Sequence, residues 1–454
     1  MTNNLYYKTF SLLFICAFIF QLQSANAQNN SFTTSMFRME ITSSLNPVGS
    51  GARAMGMGGA FIGVADDATA ASWNPGGLIQ LDEAETSFVF DYSFKKEGNT
   101  FALHPESDHR SSIDDILINY FSLAYPFRMQ NKEMVVSLNI QHLYNFQRDW
   151  NFIVDYNIPV FTNPVQHSYQ QKGNIYAVGL AYSVLISPDF SAGLTLNYNG
   201  KLASQNHNWE QHYQESGTIS NGGILGTFQN KKHEEFSFKG FNINLGFLWR
   251  ISEIWTLGGV LKTPYVASID HRIEKKIEKL NYPDAAANNV NKTIIQEFDE
   301  KLRMPLSFGL GLACRMSDAF TISFDLYRTN WNNFEFEHKS GQRTSPITGK
   351  PMNVSEINPT TWFRMGVEYQ FLKNDMIIPV RGGIFYDPSP DRHAPDDFYG
   401  FSLGSGVILK NGVAFDLAYQ FRTGNNVGCA MLENTEFSQD VREHKLYSSV
   451  IYYF

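Results

Sequence analysis

Four sets of residues in this 454-residue chain have types and spacings that invite a chemical reading. The glycines Gly51, Gly56, Gly58, Gly59 and Gly63 suggest a loop that cradles phosphate. They complete no G-x-G-x-x-G, no strand precedes them, and no acidic residue follows roughly twenty positions later in a strand–helix–strand unit, so nucleotide binding is set aside. Asp66 and Asp67 are two adjacent carboxylates without further oxygen ligands at EF-hand-like spacing, a pattern more often met in helix caps and salt bridges than in cation sites. His207 and His212 lack zinc-type spacing. Ser220 has no histidine placed nearby to activate it. No catalytic residue, metal or cofactor is expected, and the chain does not read as an enzyme.

The glycines belong to a longer segment, residues 45–81, dense in Gly and Ala and poor in alternation. Small residues allow close packing in a confined space. Within it, Trp73-Asn74-Pro75-Gly76-Gly77 is a turn by its chemistry. What confines the segment must be sought in the rest of the chain. Lys and Arg number 36 against 44 Asp and Glu, a formal net charge of −8, which argues against a nucleic-acid surface. Aromatics make up 15% while charged residues make up only 18%. Beyond residue 27 no stretch approaches the roughly 18 to 20 apolar residues of a membrane-spanning helix. A membrane β-barrel is left open, because alternation dilutes its apolar face.

Residues 1–27 read as a removable export signal: Lys8, an apolar run from Phe10 to Phe20, then Ser24-Ala25-Asn26-Ala27 as a small-x-small cleavage pattern. Cys16 sits inside the apolar run without the small residue before it that a lipid anchor would need. Cys314 and Cys429 then remain, enough for one disulfide but not for a disulfide scaffold.

From about residue 85 the chain breaks into alternating segments. In residues 86–94, Phe88, Phe90, Tyr92 and Phe94 fall on one face and Ser87, Val89, Asp91 and Ser93 on the other. Such runs place strands near 85–95, 115–126, 133–146, 172–186, 189–202, 235–250, 254–272, 300–315, 319–336, 360–371, 376–387, 398–409, 412–423 and 444–454. The connections after even strands are tight. Those after odd strands (96–114, 147–171, 203–234, 273–299, 337–359, 388–397 and 424–443) are longer and polar. An even strand number with short turns at one end and long loops at the other predicts an all-β fold, a 14-stranded antiparallel transmembrane β-barrel of residues 85–454. Closure leaves no strand edge unpaired in lipid. Residues 28–84 would form the plug, or hatch, inside its lumen.

Several spaced patterns then resemble a known family. Gly51-Ala52-Arg53-Ala54, Ala65-Asp66-Asp67-Ala68 and Asn74-Pro75-Gly76 are similar to the amino-terminal hatch of the FadL/TodX long-chain fatty acid and hydrocarbon transporters of bacterial outer membranes. Met304-Pro305-Leu306-Ser307, Gly311, Arg315, Asp325 and Trp331 resemble that family's middle region, as do Arg381-Gly382-Gly383 and Tyr386-Asp387-Pro388-Ser389-Pro390. The resemblance implies a plugged barrel that takes a hydrophobic ligand from outside and releases it sideways into the membrane. It makes Arg53, Asp66, Asp67, Asn74, Pro75 and Gly76 hatch residues. Where the family has Asn-Pro-Ala, this chain has Asn74-Pro75-Gly76. The alternative is a barrel scaffold or shuttle partner in protein secretion, as in PorV-like proteins.

A desolvated ligand carboxylate needs a cation or hydrogen-bond donor, for which Arg53, Arg250, Arg315 and Arg381 are the candidates. Val290, Ile294, Ile295, Phe298 and Leu302 in residues 285–303 lie at helical spacing, which suits either an external amphipathic helix for ligand capture or a loop packed on the barrel mouth. Tyr452 and the terminal Phe454 on an alternating strand look like a signal for the barrel-assembly machinery. The expected partners are a hydrophobic small molecule, outer-membrane lipid and that machinery, with the chain a monomer in the outer membrane.

Overall fold

The computed structural model describes residues 49–454 except 157–160, 162, 203–207, 222–223, 281–288, 374, 430 and 433–434. The export signal, Cys16, residues 28–48, His207 and Gly222 lie outside the described residues.

Fourteen antiparallel strands form the wall. They are β1 (Glu85–Phe101), β2 (His109–Met129), β3 (Lys132–Asn145, carried on by Arg148–Val154), β4 (Val165–Ser187), β5 (Phe190–Asn199, carried on by Asn208–Asn221), β6 (Ile224–Arg250) and β7 (Trp255–Lys262 with Tyr265–Leu280). The second half comprises β8 (Val290–Met304 with Ser307–Ser317), β9 (Phe320–Thr329), β10 (Thr360–Leu372), β11 (Met376–Tyr386), β12 (Tyr399–Leu409), β13 (Val413–Val427) and β14 (Phe437–Tyr453). The ring closes where β1 pairs with β14 from Glu85↔Tyr453 to Phe101↔Phe437. The Phe454 N–H donates to the Ala84 carbonyl at the seam's foot.

The wall is inside out for a water-soluble protein. Phe88, Phe90 and Tyr92 are 39–41% exposed, while Ser87 and Asp91 on the opposite face are 0% and 3% exposed. The same outward apolar face recurs around the ring, as at Ile116 and Tyr125 on β2, Phe241 and Leu245 on β6, Leu403 on β12 and Leu417 on β13. A patch of that extent would aggregate in water and is at home in lipid.

The strands outrun the expected boundaries. Within 203–234 and 273–299, read as loops, the described residues carry strand: Asn208–Asn221 pairs with β6, and Tyr265–Leu280 pairs with both β6 and β8. These extensions rise beyond the apolar belt, where the outward face carries Lys239, Asp270, Arg272 and Lys301. In water the backbone ladder needs no greasy outer face, so lipid-face alternation fades while the strand continues. The expected helix at 285–303 is likewise a strand from Val290 onward. Spacing by four fits a helical turn and also, being even, one face of a strand. Ile294, Phe298 and Leu302 thus share the inward-leaning face, and Ile295 points the other way, 54% exposed. The expected continuous strands 254–272 and 300–315 are broken at Pro264 and Pro305, which cannot donate to a ladder. Cys314 is buried and Cys429 exposed, and both are free thiols.

Candidate functional site

Residues 49–81 lie inside the ring, buried almost throughout. They fold into a helical turn at Ala52–Gly56, a second at Ala70–Trp73 and a 3₁₀ turn at Pro75–Gln80. Elements this short do not persist alone, and the wall holds them from all sides. The Ala68 N–H donates to Glu85 of β1, and Tyr120 of β2 donates to the Ala68 carbonyl. Ser191 of β5 donates to the Gly76 carbonyl, and Ser402 of β12 to the Gly56 carbonyl. Asp325 of β9 accepts from the Phe61 and Ile62 N–H groups at 2.7 and 2.8 Å.

The fit depends on wall residues without side chains. Gly193, Gly246, Gly258, Gly311, Gly366, Gly383 and Gly404, on seven strands from β5 to β12, each face the lead segment so closely that a Cβ would meet one of its atoms at 2.2–2.9 Å. Gly76 is the reciprocal case: its Cβ would stand 2.7 Å from the Phe247 Cα, which accounts for glycine rather than alanine after Asn74-Pro75. The Asn74 amide closes this contact, donating to the Ile62 and Phe247 carbonyls at 2.9 and 2.8 Å and accepting from the Gly76 N–H. Pro75 sits at the start of its 3₁₀ turn, where no N–H is missed.

The hatch acids and three of the four candidate arginines come together in one network. Arg53 pairs with Asp66 at 2.7 Å and with Glu368 of β10 at 2.9 Å. Arg315 reaches Asp66 at 2.7 Å. Arg381, 1% exposed at its side chain, lies between Glu368 and Asp416 of β13. Asp67 stands 3.9 Å from Arg53 and also caps its own turn, accepting from the Thr69 N–H and hydroxyl. These arginines thus face carboxylates supplied by the protein. Arg250 stands apart, exposed at the turn end of β6. Glu368 and Asp416 were given no role in the sequence, and Asp325 entered only through the family resemblance; a buried acid on the inward face opposite Arg381 and Arg53 was the available signal.

Away from the turns, the bore is lined with aromatic and aliphatic side chains. Phe146, Trp209, Phe236, Phe238, Leu302, Met304, Trp331 and Phe334 form one buried cluster, with Trp209 stacked on Phe236 at 4.2 Å and tilted against Phe146 at 5.5 Å. Beside it is a chamber of about 70 Å³, lined in part by Gln141, Tyr144, Asn197, Asn242, Lys262 and Tyr265. A larger apolar concavity of about 570 Å³, involving Leu310, Phe324, Phe363 and Ile384, includes the lipid-facing side of β8–β11 and reaches Gly311 and Asp325 in the wall.

The wall has a seam next to the chamber. The β2–β3 ladder runs from Met129↔Lys132 only as far as Tyr120↔Gln141. Past that point β3 bulges between His142 and Tyr144 and follows β4, and no ladder joins β2 to β3 among the described residues. Side chains span the gap: Asn145 and Gln147 both donate to Asp115 Oδ2, at 3.0 and 2.8 Å. Ile116 and Ile118 flank it on the outer face, 71% and 47% exposed, which sets the seam at the height of the apolar belt.

A fourteen-strand barrel with residues 49–81 packed inside it narrows the choice of relatives. The family model described as outer membrane protein transport protein (OMPP1/FadL/TodX) matches residues 43–447. The chain belongs to the FadL/TodX family. Solved structures agree in fold: a Pseudomonas aeruginosa FadL homologue is 13% identical with a TM-score of 0.57, covering 90% of this chain and 100% of that one. The Pseudomonas putida toluene transporter TodX is 13% identical with a TM-score of 0.58, covering 91% and 100%. The Ralstonia pickettii toluene transporter TbuX is 12% identical with a TM-score of 0.51, covering 90% and 99%. No curated protein matches by sequence. Membership of the FadL/TodX family makes this an outer-membrane transport barrel, in line with the lipid-facing belt. Tyr452 and Phe454 are on that belt, 48% and 62% exposed and stacked at 5.8 Å.

Proposed function

We propose that the protein carries hydrophobic compounds, such as long-chain fatty acids or monoaromatic hydrocarbons, from outside the cell into the outer membrane without opening its hatch. A ligand enters through the Trp209–Phe236–Trp331 cluster, rests in the chamber above residues 49–81, and leaves sideways through the β2–β3 seam. The observation that carries the reading is the coincidence of chamber and seam: Gln141, Leu143 and Tyr144 line the first and border the second. The toluene transporters among the structural neighbours support a hydrophobic cargo.

The physics favours such a route. Each buried CH₂ contributes about 0.8 kcal/mol, so an acyl chain binds a modest apolar bore well. A chamber of about 70 Å³ is smaller than the roughly 150 Å³ void that accommodates benzene, so entry requires side chains to swing aside. A carboxylate leaving water needs a cation or a hydrogen-bond donor; Gln141, Asn197, Asn242 and Lys262 lie in the chamber lining, while Arg53 and Arg381 stay committed to the hatch network. The hatch, taken as residues 28–84 with 49–81 filling the bore, keeps water and ions from following the ligand. Residues 1–27 act as the export signal, and Tyr452 with Phe454 present the assembly signal. The test is uptake of radiolabelled oleate and toluene by proteoliposomes: rates well above protein-free vesicles are expected, and equal rates would overturn the reading.

A further inference from the structure

We propose that Glu210, His212 and His233 form a divalent-metal site, with Zn²⁺ as the best-fitting ion, on the outer face of the β5–β6 extension. His212 and His233 are direct cross-strand partners in the ladder, and Glu210 lies two residues before His212, so all three side chains project from one face. Trp209 and Phe236, on the inward face of the same strands, belong to the ligand-entry cluster. The Glu210 Oε2 lies 3.4 Å from His212 Nε2 and 3.7 Å from His233 Nε2. Separations of this size are close to the edges of a tetrahedron whose metal–ligand bonds are about 2.0–2.1 Å.

Two details favour a metal over an ion pair. The other Glu210 oxygen, Oε1, accepts from the Asn208 amide at 2.6 Å, which orients the carboxylate and leaves Oε2 directed at the imidazoles, the kind of outer support metal ligands use. The His233 Nε2 is shielded from water and has no hydrogen-bond partner, which costs free energy that coordination would recover. The rings stack at 4.1 Å with an 11° tilt, so each must turn about its Cβ–Cγ bond to point its lone pair at a shared ion. Two imidazoles and one carboxylate leave a fourth position for water, and imidazole suits Zn²⁺ well among divalent ions. An ion there would clip β5 to β6 beyond the membrane belt, stiffening the wall behind Trp209 and Phe236. The sequence hid this site because its two histidines are 21 positions apart and meet only through strand register.

The experiment is calorimetric titration of the full-length, untagged protein in detergent with Zn²⁺ alone. One Zn²⁺ per chain is expected, with affinity lowered at least tenfold in the His212→Asn/His233→Asn double variant. Unaltered affinity in that variant, or no binding at millimolar Zn²⁺, would overturn the proposal. Should the variant fail to fold, the unaltered protein decides: Zn²⁺ should slow diethylpyrocarbonate modification of His212 and His233 but not of exposed His393, and equal rates with and without Zn²⁺ would overturn it.

Discussion

Arg53 of the lead segment grips Glu368 of strand β10 with two hydrogen bonds, Nε to Oε2 at 3.0 Å and Nη2 to Oε1 at 2.9 Å, across 315 positions of sequence. The fork-on-carboxylate geometry fixes both distance and direction. Because Glu368 also accepts from Arg381, one acid of the wall ties the hatch to β10 and β11 together.

Glu368→Gln should therefore loosen the hatch. Removing one member of a buried pair leaves its partners unsatisfied, at a cost of about 3 kcal/mol. The midpoint of urea unfolding should fall, and planar-bilayer recordings should show flickering conductance where the unaltered protein is quiet. An unchanged midpoint with quiet recordings would contradict the latch.

Gly76→Ala tests the contact with β6. A methyl group 2.7 Å from the Phe247 Cα must push the 3₁₀ turn off the wall. Overpacking of this kind costs about 1–3 kcal/mol. The heat-modifiable mobility of the barrel on gels should collapse at a lower temperature, and an unshifted transition would show that the turn has room to spare.

Deleting residues 49–81 should convert a closed barrel into a conducting one, since nothing else among the described residues fills the bore at that level. Single-channel conductance measures it directly. A deletion variant that folds and stays closed would refute the plug.

The extensions beyond the membrane carry a pH signature. Burial opposes the charged form of His271, but hydrogen bonds with Glu234 and Glu300 outweigh it and raise its pKa above the usual 6.5. Burial would likewise raise Glu300, yet the His271 and His338 contacts lower it from 4.5 to about 2. The histidine's contribution is complete below its unfolded value near 6.5 and is lost as pH climbs through the raised one. The glutamate's is complete above 4.5 and is lost as pH falls toward 2. Amide exchange in Tyr265–Leu280 and Val290–Met304 should thus be slowest, after correction for intrinsic rates, between about pH 4.5 and 6.5. His271→Asn should abolish the alkaline-side change.

What could be read from the sequence follows from the solvent each residue meets. Lipid demands an apolar group at every second position, so Phe88, Phe90 and Tyr92 announce β1 and its register. The confined lead segment was legible because close approach to a wall requires Gly and Ala. The roles of Glu368 and Asp325 were not, since an inward acid in a barrel looks like any lumen-facing polar residue until the register sets it opposite Arg53 or the Phe61 N–H. The seam was hidden for a similar reason. Asp115, Asn145 and Gln147 are ordinary strand and turn residues, and only the end of the β2–β3 ladder gives them a role.

Lateral passage through that seam is the claim on which the functional account turns, and a reversible lock tests it most directly. In an Asp115→Cys/Asn145→Cys variant that also carries Cys429→Ser, oxidation should join β2 to β3 and reduce toluene and oleate uptake to the protein-free level, with recovery on reduction. Uptake that proceeds at the same rate in the oxidised and reduced protein would place the exit elsewhere.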